Sequence, residues 1–256
     1  YTKYIKSLRS TCPEIKKLTK EQKQRIQDFY IKYYGKRLPD YLWHEYYYSR
    51  NGIFSEKYVP NYIWNEINAR MLNKNIAKAF DDKNLYYTLF PDICKPDAYI
   101  KCINGYYYDN ESTMRESSIT KEKAENKCYN IGEAIIKPTF CSCNGKGVKY
   151  IDICNGIDKK SGLSIKELMN NYGNNFIIQK VIKQHPELAK LCPTSVNTIR
   201  IVTYRRDMEI VVIYAVMRIG KLGSEIDNTS AGGMTCNIDE LGRLSKYAIC
   251  SKPAGL

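Results

Sequence analysis

The 256-residue chain has little histidine, little tryptophan and no long apolar run. No stretch approaches the roughly 20 apolar residues that a membrane span requires. The first ten residues, YTKYIKSLRS, contain no apolar leader segment, so neither a transmembrane anchor nor a secretory signal is expected from them. The two histidines, His44 and His185, lie far apart, and Cys141-Ser142-Cys143 is the only tight cysteine pair. That leaves no ligand pattern for structural zinc. Internal repeats, low-complexity tracts and recognised RNA- or DNA-binding motifs are also missing. What remains is a globular chain long enough to bury roughly 70% of its unfolded surface. Its ten scattered cysteines read as reduced thiols of a cytoplasmic protein.

Charge and aromatic content are the positive features. Forty basic and 27 acidic residues give a net charge of +13, which favours polyanionic partners. Abundant Lys, Asn, Ile and Tyr equally reflect genome composition. The first 80 residues interleave Tyr with Lys, a pattern that can stack and hold nucleic acid. The same pattern arises when tyrosines form core and interface with their hydroxyls left wet. Without a motif to favour the first reading, no nucleic-acid partner is expected.

The hydrophobic period changes along the chain. LTKEQKQRIQDFYIKYYGKRL has helical spacing with Thr19 as its N-cap. DYLWHEYYYSRNG predicts a second helix ended by Asn51-Gly52, and VPNYIWNEINARML a third that starts with Pro60 in its first turn and runs to about Asn73. From about residue 97 the period becomes two. DAYIKCINGYYYD predicts a hairpin around Asn104-Gly105, and Thr120 caps a short helix. AIIKP, KGVKYIDI, NNFIIQKVI, TIRIVTYRR and EIVVIYAVMRIG follow as strands, with SIKELMNNYG as a helix ended by Gly173. The expected fold is α+β: a helical N-terminal region and then largely antiparallel sheets.

The stretch IIKPTFCSCNGKGVKY, residues 135–150, carries the strongest chemistry. Lys137 closes an apolar strand, so its ammonium is held where it can project into a cleft and meet phosphate. Gly145 and Gly147 flank Lys146 in the following loop, where glycines let backbone N–H groups approach an anion. The loop leads into a strand, so it is not a P-loop. An ordinary Asn-Gly turn with exposed lysines fits the same residues. Other groups repeat the theme: Lys83 upstream, Gln179 at a strand end, Asn197 and Arg200 at the start of the next strand, then Arg218, Asp227, Asn228 and Gly232-Gly233. Both arginines can fork two oxygens of a carboxylate or phosphate.

Taken in order, these pieces resemble the sugar-transfer-associated ATP-grasp family. The matching segments are DK at 82–83, INGYYYD at 103–109, IIKPTFCSCNGKGV at 135–148, IIQKVIKQHPEL at 177–188, SVNTIRIVT at 195–203 and VMRIGKLGSEIDNTSAGGM at 216–234. WHEYY at 43–47 resembles part of the family's helical head. The resemblance implies an ATP-grasp fold in three parts: a helical region 1–82, a first subdomain 83–178 with a phosphate flap, and a second subdomain 179–256. It implies ATP and Mg²⁺ as cofactors. The implied reaction is ligation of a carboxylate to an amine through an acyl-phosphate, on a small carboxylate or sugar-linked substrate of polysaccharide or cell-surface metabolism. A kinase-like phosphotransferase or a non-catalytic nucleotide-binding module are the alternatives. By the same resemblance, Lys83 and Lys137 bind phosphate, and Asn144, Gly145, Lys146 and Gly147 form the flap. Gln179, Lys180, Val181 and Ile182 form the hinge at the adenine, with Lys180 where many relatives have an acid, and His185 approaches the ribose. Arg200, Arg218 and Asn228 face the phosphates and the acceptor. Asp227 is the one candidate metal ligand, the main Mg²⁺ ligands being expected beyond Leu256.

Overall fold

A computed structural model describes residues 12, 14–73, 79–110, 118–140, 145–224 and 227–250. Two compact units divide the chain, Tyr1–Ala77 and Lys78–Leu256.

The first unit is helical. Helix α1 spans Lys20–Tyr34 and begins with a capping box. The Gln22 N–H donates to Thr19 Oγ1 at 3.2 Å, and the Thr19 N–H donates to Gln22 Oε1 at 2.9 Å, so two otherwise orphaned donors are satisfied. Helix α2 covers Leu42–Asn51 and ends at Gly52, whose φ of 72° permits the left-handed stop. Helix α3 is composite: Asn61–Ile63, a π-helical stretch Trp64–Asn68, and Ala69–Leu72. Ile26, Tyr30, Leu38 and Ile63 form the core of this unit. Of the tyrosine stripe, Tyr30 is core, Tyr34, Tyr41, Tyr48 and Tyr62 pack partly buried against it, and Tyr33 is exposed. Tyr30 is fully buried and its ring stacks on Tyr34 at 5.0 Å, while its hydroxyl donates to the Tyr58 carbonyl at 2.8 Å. His44 is buried as well, and burial lowers its pKa so that the ring stays neutral.

The second unit is built on two antiparallel sheets, as the α+β reading requires. The first sheet has the order β2-β1-β6-β3-β4-β5. Its strands are β1 Ala98–Ile103, β2 Tyr106–Tyr108, β3 Gly132–Pro138, β4 Lys149–Cys154, β5 Ile157–Asp158 and β6 Phe176–Lys180. Helix α4, Tyr86–Leu89, precedes β1; α5, Lys121–Lys127, and α6, Ile165–Tyr172, are the other helices of this part. Successive residues of a strand face opposite sides. One face sends Ile100, Cys102, Ala134, Ile136, Ile151, Ile153, Phe176 and Ile178 into a core closed by Ala124, Cys128, Ile165, Leu168 and Met169. The other face holds Ile135, Lys137, Ile177 and Gln179, and is the face that bears the site.

The second sheet is a meander, β10-β9-β8-β7, with β7 Thr198–Arg206, β8 Glu209–Ile219, β9 Met234–Ile238 and β10 Leu244–Cys250. A short helix, α7, Pro186–Ala189, precedes it. Met217, Ile219 and Cys236 pack with Cys192 on one face near the start of the meander. Asn197 ties this corner together. Its Oδ1 accepts from the Gly220 N–H at 3.1 Å, its Nδ2 donates to the Leu188 carbonyl at 2.8 Å, and its N–H donates to Gln184 Oε1.

Candidate nucleotide-binding site

A cleft of about 370 Å³ opens on the outer face of the first sheet, within the size range of small-molecule sites. Ile135, Lys137, Val148 and Tyr150 line it from β3 and β4. Gln179, Lys180, Val181, Ile182 and Gln184 line it from the end of β6 and beyond, and Pro193–Val196 line it from the loop before β7. Register explains the convergence. Ile135 pairs with both Gln179 and Tyr150, and Lys137 pairs with Ile177, so these side chains share one face of three adjacent strands. Five of the residues expected from sequence therefore meet in one cavity: Lys137, Gln179, Lys180, Val181 and Ile182.

Lys137 is the reactive feature of the cleft. Among the described residues its ammonium has no hydrogen-bond or ion-pair partner. Burial, and secondarily the Lys83 ammonium beside it, pull its pKa down to about 8. A half-buried cation next to a second cation is unstable by itself and is relieved by an anion. Lys83 is anchored at this place: its N–H and its Nζ both donate to the Thr139 carbonyl, at 3.3 and 3.1 Å. Thr139 is the second residue after Lys137 and is fully buried.

The glycine loop runs into Val148, which lines the cleft, while Gly145, Lys146 and Gly147 are not lining residues. Gly145 and Gly147 have φ of 72° and 75°, a left-handed conformation that the missing Cβ makes accessible. The Tyr172 hydroxyl donates to the Gly147 carbonyl at 2.7 Å and pins the end of the loop to α6. Lys146 is exposed between the two glycines. Asn144 falls outside the described residues.

Other expected residues are placed differently. The Lys180 ammonium pairs with Asp97 at 2.8 Å, and its N–H donates to the Asp97 carbonyl, so an acid stands beside the hinge although none is in it. His185 is not a lining residue of the cleft; its Nδ1 accepts from the Glu187 N–H at 3.3 Å and caps α7. Arg200, Arg218, Asp227 and Asn228 gather on the second sheet. Thr198 pairs with Arg218, and Arg200 with Val216, so both arginines project from the same face as diagonal neighbours. Arg218 is held by Asp227 at 3.2 Å and by Asn228 Oδ1, and Thr198 Oγ1 donates to Asp227. The Arg200 side chain has no hydrogen bond or ion pair among the described residues and is exposed. Between this group and the cleft residues no hydrogen bond or ion pair forms among the described residues.

The sequence reading overlooked Asn84, Thr139, Tyr150 and the 193–196 loop. Asn84 adjoins the Asp-Lys pair, and Thr139 follows the Lys-Pro pair; that adjacency was the available signal. It also missed Lys101, a buried lysine two strands from Lys137 in the same row, Lys101–Ile177–Lys137. Burial lowers the pKa of Lys101 while Asp109 raises it, and its ammonium lies 5.3 Å from the centre of the Tyr87 ring.

Asp227 is already neutralised by Arg218 and accepts a hydroxyl, and no cluster of three His, Cys, Asp or Glu residues forms among the described residues. Mg²⁺ requires several hard oxygen ligands, so the described residues do not by themselves fit that ion.

The model of the family described as sugar-transfer associated ATP-grasp matches residues 64–255. No curated protein and no solved structure matches the chain. The family match spans the cleft, the glycine loop and both sheets, and the chain belongs to the sugar-transfer associated ATP-grasp family.

Proposed function

We propose that this protein is an ATP-dependent ligase that activates a carboxylate as an acyl-phosphate and transfers it to an amine. The observation that carries the nucleotide part is Lys137, a half-buried cation with no hydrogen-bond or ion-pair partner among the described residues, in a cleft lined by apolar, amide and hydroxyl groups and by Lys180. An adenine would lie against Gln179–Ile182, where strand β6 ends and backbone groups become available. The phosphates would then reach Lys137, Lys83 and the backbone of Gly145–Gly147.

Ligation requires two displacements. A carboxylate oxygen attacks the terminal phosphorus, and ADP departs with the bridging oxygen. The amine then attacks the acyl carbon, phosphate leaves, and the amine loses a proton. The protein contributes mainly position and charge. Lys137 and Lys83 offset the negative charge on the transferring group. Arg200, exposed and unpaired among the described residues, suits the acceptor carboxylate because its guanidinium can fork two oxygens. Arg218, already held by Asp227 and Asn228, orients this face. The family's description supports a sugar-linked substrate, such as a precursor of a cell-surface polymer.

The test is calorimetric titration with a non-hydrolysable ATP analogue. Lys137→Ala removes a charge-assisted contact worth on the order of 1.5–3 kcal/mol, so affinity is expected to fall roughly 10- to 150-fold. Unchanged affinity would remove the nucleotide from this cleft. Product analysis separates the reactions: free phosphate with a condensed product supports ligation, and a phosphorylated acceptor supports phosphotransfer instead.

A further inference from the structure

Lys83 Nζ donates to the carbonyl of Thr139, two residues after Lys137, so two like charges lie close enough to repel. Such a pair separates unless something holds it. Lys137 is fixed by strand β3. Lys83 lies in a turn before α4, and turns of this kind have no strand ladder to fix them. The residue after it, Asn84, is 1% exposed. Its Nδ2 donates to the Cys102 carbonyl on β1 at 2.9 Å and to Thr139 Oγ1 at 3.4 Å, and its N–H donates to Asp82 Oδ1 at 3.0 Å. β1 and β3 are separated by β6, so the Asn84 amide bridges two strands across the start of the strand between them. Thr139 is also the residue whose carbonyl holds both the N–H and the Nζ of Lys83. Asn84 Oδ1 is buried with no hydrogen-bond partner among the described residues. The side chain is therefore committed through its N–H donors alone.

We propose that Asn84 is a positioning residue of the anion site: its buried amide clamps the 82–84 turn to β1 and Thr139 and so keeps the Lys83 ammonium beside Lys137. The two cations are thereby assembled before any phosphate arrives, and the ligand does not have to gather them. The inference rests on the nucleotide reading for its purpose, but not for its geometry. The lowered pKa of Lys137 gives the clamp a readout of its own, because part of it comes from Lys83.

The experiment measures two quantities on the full chain. One is the pH midpoint of Lys137 labelling by an amine-reactive reagent, followed by mass spectrometry. The other is the affinity for inorganic tripolyphosphate and for the non-hydrolysable ATP analogue. Lys83→Ala is the reference, since it deletes the second ammonium and leaves Asn84 in place; it should raise the Lys137 midpoint. Asn84→Ala should raise the midpoint in the same direction and weaken tripolyphosphate roughly tenfold. Asn84→Leu, close in size, removes both donors without adding a charge; it should raise the midpoint and weaken tripolyphosphate as the alanine variant does. It decides the matter if the alanine variant does not fold. An unchanged midpoint and affinity in a folded Asn84 variant would overturn the proposal. If the midpoint moves as expected but wild-type protein binds neither ligand, the clamp stands and the nucleotide reading fails.

Discussion

Lys137 shows how one residue couples burial to function. Its folded pKa of about 8 lies below the value of 10.5 for an exposed lysine. Between those two pH values the unfolded chain holds the proton and the folded chain releases it. Raising the pH across this window therefore favours the folded state. Anion binding has the opposite sign, because only the protonated form attracts phosphate. Affinity for the ATP analogue should be flat below pH 8 and should fall above it, with the proton regained as the ligand binds. Titrations at pH 7, 8 and 9, and denaturation at pH 8 and 10 against Lys137→Met, check the two signs. A nucleotide affinity independent of pH from 7 to 9 would mean that Lys137 does not meet the phosphates. Arg200 and Arg218 make a related point. The sequence offers two equivalent arginines, and the fold distinguishes them: Arg218 is engaged by Asp227 and Asn228, and Arg200 has no hydrogen bond or ion pair among the described residues.

At the scale of elements, the β3–β4 hairpin carries the most information. Alternation in AIIKP and KGVKYIDI places Lys137 on the face opposite Ile136, and register then pairs it with Ile177 and pairs Ile135, on the same face, with Gln179. Gly147 looks from sequence like a flap residue whose replacement spares the fold. The structure adds a cost, because a Cβ there would lie 2.8 Å from Cγ of Pro138, at a φ of 75°. Gly147→Ala should thus destabilise by about 1–2 kcal/mol from the left-handed backbone alone. Displacement of Pro138, next to Lys137, should weaken nucleotide binding as well. Thermal unfolding and the same titration would register both, and an unchanged melting temperature would show that the ring moves aside freely. Helix starts were legible because capping is local: Thr19 and Thr120 each cap a helix through their own hydroxyls. The π-helical turn of α3 and strands β9 and β10 were not, since neither has a distinctive local pattern.

Across the whole molecule, the second sheet stands out for its exposed apolar side chains. Ile199, Ile201 and Ile213 are each more than half exposed, and Tyr247 and Ile249 more so. Exposed apolar surface on this scale promotes association. The 256-residue chain should bind an environment-sensitive hydrophobic dye and sediment faster as its concentration rises. Replacing both Ile199 and Ile201 with lysine should diminish both signals, and a monomer that ignores the dye would contradict the expectation. The sequence alone determined the helical and sheet regions, the caps and the glycine loop, because each depends on spacing within a few residues. Tertiary structure decided which of these meet. It brought Lys137 to Gln179–Ile182 through the β3–β6 register and turned His185 into a helix cap. It engaged Asp227 with Arg218 and buried Asn84 as the link between Lys83 and the sheet. Such pairings depend on contacts between residues tens of positions apart, and residue order alone does not encode which strand lies beside which.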